Sequence, residues 1–529
     1  MRGTIIKSVL FFSLASSTVF AQNIKGVVYH DENANGKREK KEIGLAGIAV
    51  SNGVEVVKTD SKGNYSLPKR DSQVIFVIKP SGFQSPLNAS NQPLNHYIHK
   101  PNGSPTDFKF AGSKPTGALP ASLDFPLVKK DESDEFRVLV FGDPQPYTQE
   151  EVDFFEKDIV DEVVGVKNVA FGLSLGDLVG NDLSLNSPYI KAIKKIGLPW
   201  YNLLGNHDLN FDAKVDSLSD ETFEADFGPA NYSLNYGKVH FIVLDDVLYP
   251  DPRSGKGYWG GFREDQFKFI ENDLKYVGKD QLIVLAFHIP LMNNNADKEG
   301  SWFRMKDRNR LFELLKDFPH TLSMSAHTHL QRQNFYGKAD GWLQEKPHHE
   351  YNAGTTSGDW YSGELKENGT PSSTMRDGTP KGYAFLNLKG NQYTIDYKVA
   401  GKPIEYQMEV FLPKVVEKYK RTSAGVFVNL FMGAKGDKVT YSIDGGKWTD
   451  MTYVEAMDPK FLGMLSRFDE TEELLSGRRP SNAEMSTHLW RGDIPAKLKA
   501  GKHEIEIKAT DRYGKTSTQK VSYTIVERK

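Results

Sequence analysis

The chain has 529 residues, too many for one ordinary hydrophobic core, so length alone favours about three domains. Its 67 basic and 69 acidic residues give a formal net charge of −2, a near-balance that argues against general affinity for nucleic acid. With no cysteine, the chain has no disulfide framework, thiolate-held zinc or thiol nucleophile.

The N-terminus reads as a secretory signal. A short basic start precedes an apolar stretch, and Val19-Phe20-Ala21 offers small residues for cleavage before Gln22. The apolar stretch carries several Ser and Thr and falls short of the roughly 20 apolar residues of a spanning helix. No later segment is apolar enough to cross a bilayer. The expectation is therefore residues 1–21 as signal peptide and a mature chain in a bacterial periplasm, secreted or at the cell surface, where export without disulfides is least unusual.

From residue 22 to 125, short alternating runs (Ile24–Tyr29, Ile48–Ser51, Tyr65–Leu67, Val74–Ile78) separated by Gly, Asn and Asp predict a small β-sandwich. Asn102–Pro126 reads as a Gly- and Pro-rich linker. Asp31, Asn33, Asn35 and Glu42 fit the spacing of an oxygen-ligand calcium loop, but no helix pattern follows, and a plain Asn/Gly turn held by its own hydrogen bonds is the alternative.

From Glu135 the texture changes to an α/β pattern. Predicted strands are Phe136–Phe141, Val169–Leu175, Pro199–Leu204, His240–Leu244, Gln281–Phe287 and Thr321–Ser325; predicted helices are Gln149–Val164, Arg263–Tyr276 and Lys306–Asp317. Beyond about Lys402 short strands return, predicting a second, Ig-like β-sandwich over 401–529, interrupted by a helix-prone stretch, Val454–Arg478.

The chemistry sits where five strands end. Asp143, Asp177, Asn206-His207-Asp208, His288 and His327-Thr328-His329 each follow a predicted strand directly or within a few residues. Ligand sites in open α/β sheets form at the carboxyl ends of strands, so the fold gathers these residues on one rim. Carboxylate, amide and imidazole donors together suit Mn, Fe or Zn. A central carboxylate shared by two cations would let them activate a bridging hydroxide for in-line attack on phosphorus.

These motifs resemble those of calcineurin-like metallophosphoesterases over about Phe136–Leu388: Gly142-Asp143-Pro144-Gln145, Gly176-Asp177, Gly205-Asn206-His207-Asp208, His288 and Ala326-His327-Thr328-His329. The resemblance implies a phosphoesterase core of mixed sheets flanked by helices over residues 126–400. It places Asp143, Gln145, Asp177 and His329 on one metal, and Asp177, Asn206, His288 and His327 on the other. His207 would protonate the leaving oxygen, oriented by Asp208. The family usually has His where this chain has Gln145, a weaker ligand, and the Asp-x-Gln variant hints at Mn. The long loops after His329 resemble substrate-side loops of a bacterial subfamily with N- and C-terminal accessory domains, making Trp360, Tyr361 and Arg376 candidates for substrate contact. The N-terminal turn at Asp60–Leu67 resembles Cna-B or SD-repeat surface sandwiches.

The expected function is an exported, two-metal phosphoesterase acting on a phosphate mono- or diester or a pyrophosphate, with a phosphorylated small molecule, lipid headgroup or glycan as substrate. A surface phosphate- or glycan-binding or adhesive protein with a degenerate core is the alternative.

Overall fold

The computed structural model describes residues 23–292, 302–420 and 422–528. The predicted signal peptide lies outside them. Among the described residues no helix is long and apolar enough to cross a membrane.

Two facing sheets form the central layer. One runs, in order across the sheet, Trp200–Asn202, Phe171–Ser174, Glu135–Phe141, Gly382–Lys389 and Gln392–Val399. The first three of these strands are mutually parallel, and the last two form an antiparallel hairpin added at the far edge. The other sheet runs Tyr232–Tyr236, Val239–Val243, Leu282–Ala286, Thr321–Ser325, His348–Asn352 and Arg332–Tyr336, with its middle four strands parallel. Leu282–Ala286 is a continuous apolar run buried at every position, as a strand covered on both faces must be. Each such buried aliphatic side chain contributes roughly 1.5–3 kcal/mol.

The predicted helices form with small shifts. Gln149–Phe155 starts on Thr148, whose hydroxyl accepts the Glu151 amide at 3.2 Å, then passes through a π-helical turn at Glu156–Val160 into Asp161–Val163. Glu264–Leu274 and Met305–Leu315 fall within a few residues of the predicted spans and bury one apolar face each. Periodicity did not resolve Arg332–Tyr336, Gly382–Lys389 and Gln392–Val399, where polar residues interrupt the apolar runs.

Among the described residues there are three separate apolar cores. The N-terminal core is closed by Phe125–Lys129, which pairs in parallel with Asn23–His30, so that unit runs past residue 125. The stretch read as a linker is fastened rather than free. Lys100, just before it, places Nζ 2.6 Å from both Glu221 and Glu224, and the Phe110 carbonyl accepts hydrogen bonds from Asn210 and Thr222. The C-terminal sandwich has one sheet of Met408–Phe411, Gly425–Leu430, Met485–Asp493 and Thr452–Met457 and a second with Gly501–Thr510 and Thr516–Val526 in its interior. Its Phe431 and Met432 belong to the central core. The helix-prone stretch holds Pro459–Asp469, capped by Asp458, and then Gly477–Arg478 pairs with Gly363–Glu364 of the central region.

Candidate metal centre

All five strand-end motifs meet at one rim. Asp143 follows Glu135–Phe141, Asp177 follows Phe171–Ser174, Asn206 follows Trp200–Asn202, His288 follows Leu282–Ala286, and His327 and His329 follow Thr321–Ser325. The turns are tight. Asp143, Gln145, Asp177, His327 and His329 all have positive φ, between 35° and 70°. Left-handed backbone at non-glycine residues costs energy and persists where surrounding structure enforces it, as at ligand sites. Gly176 and Gly205 permit the approach: a Cβ on Gly205 would lie 2.1 Å from the Asp177 amide nitrogen.

Four donors converge most closely. His288 Nε2 lies 3.2 Å from Asp177 Oδ2 and 3.1 Å from Asn206 Oδ1, while His327 Nδ1 lies 2.7 Å from Asn206 Oδ1 and 3.3 Å from His288 Nε2. Asp177, His288 and His327 each offer one ligand atom within 4.8 Å of the other two. This donor set fits a divalent transition cation. Asp143 Oδ1 sits 3.8 Å from His329 Nε2 and 4.0 Å from His288 Nε2, giving a second, sparser group that adjoins the first. Ring orientations are set from behind: His288 Nδ1 faces the Leu175 carbonyl at 2.8 Å and His329 Nδ1 the Gly358 carbonyl at 3.1 Å, which leaves both Nε2 atoms pointing inward.

Gln145 lies in the second group, but its Oε1 accepts the Trp360 indole N–H at 2.8 Å and its Nε2 faces Asp177 Oδ2 at 3.2 Å. The amide that would donate oxygen to a cation is thus shared with an indole. A Gln145→His variant should tighten binding of the cation beside Asp143 and His329, on the order of tenfold, the range that ligand-shell changes produce. Competition with a chelating dye reads this, and unchanged affinity would contradict it.

Electrostatics follow from burial and the two carboxylates. Burial drives the Asp143 carboxyl well above its ordinary range, and the neighbouring Asp177 adds to the shift. Burial pushes Asp177 up too, but the imidazoles of His288 and His207 outweigh it and hold the carboxyl below the usual range. Burial alone would lower His288; Asp177 and Asp143 reverse this and lift it to about 10. Burial pushes His327 and His329 down to about 3, so both are neutral at pH 7. A cation at His288 Nε2 therefore displaces a proton. Because the raised value lies near 10, cation affinity should climb up to about tenfold per pH unit as pH rises towards 10, then level off. Calorimetry in two buffers of different ionisation enthalpy measures the proton released per cation at pH 7; zero release contradicts the expectation.

His207 and Asp208 do not form the expected pair. Asp208 is buried, and its carboxylate accepts backbone N–H groups from Gly205 (2.8 Å), Leu178 (3.1 Å) and Val179 (3.2 Å). It pins two site turns together, with burial raising it to about 7. The group on His207 is Asn181, whose Oδ1 lies 2.7 Å from His207 Nδ1. Asn181 carries a positive φ of 69° on the turn after Asp177, and nothing in the sequence alone distinguishes it from other turn asparagines.

The loop after His329 supports the site from behind. Ser357 Oγ donates to the Asp143 carbonyl at 2.7 Å and the Thr356 amide to the Gly142 carbonyl at 2.8 Å. Trp360 is half-buried and stacks on His329, with ring centroids 4.1 Å apart and 24° between planes. Tyr361, expected to face substrate, is buried and donates to the Pro144 carbonyl. Arg376, expected likewise, pairs with Glu484 at 2.9 Å and donates to the Thr328 carbonyl. Both brace the loop because their polar ends are already engaged. In the N-terminal loop, Asp31, Asn33, Asn35 and Glu42 all accept backbone N–H groups of that loop, the bonding of a plain Asn/Gly turn.

Three family models match in chain order: the N terminal of calcineurin-like phosphoesterase over residues 32–115, calcineurin-like phosphoesterase over 136–331, and the C terminal of calcineurin-like phosphoesterase over 350–516. The chain belongs to the calcineurin-like phosphoesterases. It is accordingly a metal-dependent hydrolase, and the strand-end cluster lies within the segment matched by the catalytic model. Among solved structures it is similar to purple acid phosphatase PPD1 from yellow lupin, Lupinus luteus (14% identity, 68% of this chain and 69% of that one, TM-score 0.36). It is also similar to TT1561 of Thermus thermophilus (11% identity, 50% of this chain and 99% of that one, TM-score 0.29). No curated protein matches this chain.

Proposed function

We propose that this calcineurin-like phosphoesterase is exported and hydrolyses a phosphate mono- or diester, or a pyrophosphate, with two divalent cations, Mn foremost. The observation that carries the reading is the convergence of Asp177, Asn206, His288 and His327 on one point, with His207 on the turn beside it. Asp177, Asn206, His288 and His327 would hold one cation. Asp143, Asp177 and His329 would hold the other, with the Gln145 amide alongside. Such cations supply Lewis-acid polarisation of the phosphoryl group and make water a stronger nucleophile.

The chain's own residues do the rest. Asp177 Oδ1 accepts the His207 amide at 2.8 Å, which ties the acid–base turn to the carboxylate shared by both groups. Asn181 Oδ1 accepts from His207 Nδ1, so Nε2 is free to hold or deliver a proton to the leaving oxygen. The neutral His327, half-buried, and His329, buried, keep their lone pairs for cations rather than protons.

The experiment is metal removal and restoration. Chelated protein should show no turnover on a panel of aryl mono- and diesters, and Mn should restore it more fully than Mg, whose preference is for oxygen donors alone. Absence of turnover with any divalent cation across the panel would defeat the proposal and leave a binding role.

A further inference from the structure

A cavity of about 770 Å³ opens directly beside the catalytic turn, with Asn206, His207 and Asn181 on its inner wall. Its outer wall is aromatic and polar: Phe110, Phe211, Tyr249 and Tyr258, with Lys109 and Asp212. Among the described residues no aliphatic side chain lines it. The volume is that of a small-molecule site.

These rings are exposed yet braced. Phe211 is 41% exposed, but Tyr249 meets it edge-to-face, with centroids 5.6 Å apart and planes at 84°, and the Tyr249 hydroxyl donates to the Phe211 carbonyl. Tyr258, 37% exposed, stands edge-on to His327 at 5.9 Å. Lys109 is held by its amide on Asp212 Oδ2 at 2.6 Å, and its Nζ lies 4.6 Å from the Phe110 ring centre. A braced ring with one open face and a perpendicular neighbour forms a slot for another flat ring. An acyl chain would instead call for an aliphatic, enclosed wall. A lone sugar would fill little of the volume.

We propose that this cleft binds the base of a nucleoside phosphoester whose phosphorus lies at the metal centre. The proposal rests on the phosphoesterase reading of that centre and names its substrate class. Phe211 and Tyr258 supply ring faces, which take any base because every base has a π-face. Lys109 and Asp212 offer a donor and an acceptor for base edges or ribose hydroxyls.

Two measurements test it. The Mn-loaded full chain is assayed on adenosine and uridine monophosphates, glycerol phosphate, glucose phosphate and phosphatidate vesicles. kcat/KM for the nucleoside phosphates should exceed the others by about tenfold or more, the effect of stacking one base, and Phe211→Ala should erase most of that ratio. Circular dichroism checks that this exposed substitution leaves the fold intact. Separately, saturation-transfer NMR with adenosine alone, on metal-free protein, should show transfer to the purine protons that Phe211→Ala removes. Glycerol phosphate, glucose phosphate or vesicles equalling the nucleotides, or absent transfer from adenosine, overturns the proposal. If nothing is hydrolysed while adenosine transfer persists, the hydrolase reading falls and the base cleft stands.

Discussion

Asp177→Asn should lower metal-dependent turnover by at least about a thousandfold, and should reduce bound cation at both positions rather than one. The reason is its place between the two donor groups. Asp177 Oδ2 lies 3.2 Å from His288 Nε2 in one group and 3.2 Å from Gln145 Nε2 in the other. Asparagine keeps the shape but removes the charge, and a hard divalent cation is held mainly by charge at such distances. The loss of transition-state stabilisation at one such electrostatic partner is typically about 2.7–4 kcal/mol, and here two cations depend on it. Two readings separate chemistry from folding: cation content by atomic emission, and thermal stability of metal-free protein. In metal-free protein, the charged His288 loses its nearest carboxylate and keeps only Asp143, whose Oδ1 lies 4.0 Å from Nε2, so the loss should stay below the roughly 3–5 kcal/mol of a buried pair broken outright. The imidazole answers by releasing its proton, so the stability loss should shrink as pH rises. The sign is fixed by direction: a His raised in the folded state stabilises at low pH and loses that contribution as pH passes about 10. Full activity with normal cation content in Asp177→Asn would remove the shared-ligand role.

Much of this site was legible in the sequence because the ligands follow their strands at once. Phe136–Phe141 and Gln281–Phe287 are dense apolar runs, Thr321–Ser325 alternates, and the fold places their carboxyl ends together. What was not legible has physical causes. Asn181 differs from an ordinary turn asparagine only by its contact with His207, 26 residues away in the chain. Asp208 neighbours His207 in sequence but points the other way, towards amides of the Leu178-Val179 turn, so adjacency misled. The engagement of Tyr361 and Arg376 depends on partners far along the chain, Pro144, Thr328 and Glu484. Its Gly and Pro made Asn102–Pro126 read as a linker, yet Asn210 and Thr222 hold the Phe110 carbonyl and Phe110 lies in the wall of the cleft.

The remaining large effect lies with His207. His207→Ala should cost about 10²–10⁴ in kcat, the usual share of one positioned acid or base, while cation content stays near normal because the ring's partner is Asn181 and the tie to Asp177 runs through the backbone amide, which the substitution keeps. The loss should be largest for substrates with poor, strongly basic leaving oxygens and smallest for aryl phosphates, since protonation of the departing oxygen matters less as that oxygen becomes more acidic. Asn181 then distinguishes orientation from mere proximity. An amide oxygen accepting from Nδ1 selects the tautomer with the proton on Nδ1 and the lone pair on Nε2, or a ring protonated at both nitrogens. Asn181→Ala should leave His207 present but free to rotate, with a loss of about tenfold and an unchanged pH–rate profile shape. Asn181→Asp should keep the hydrogen bond and add a negative charge, moving the His207 limb of the profile to higher pH. If Asn181→Asp leaves that limb where it is, the contact positions nothing that reacts, and proton transfer must be assigned to another group on the rim.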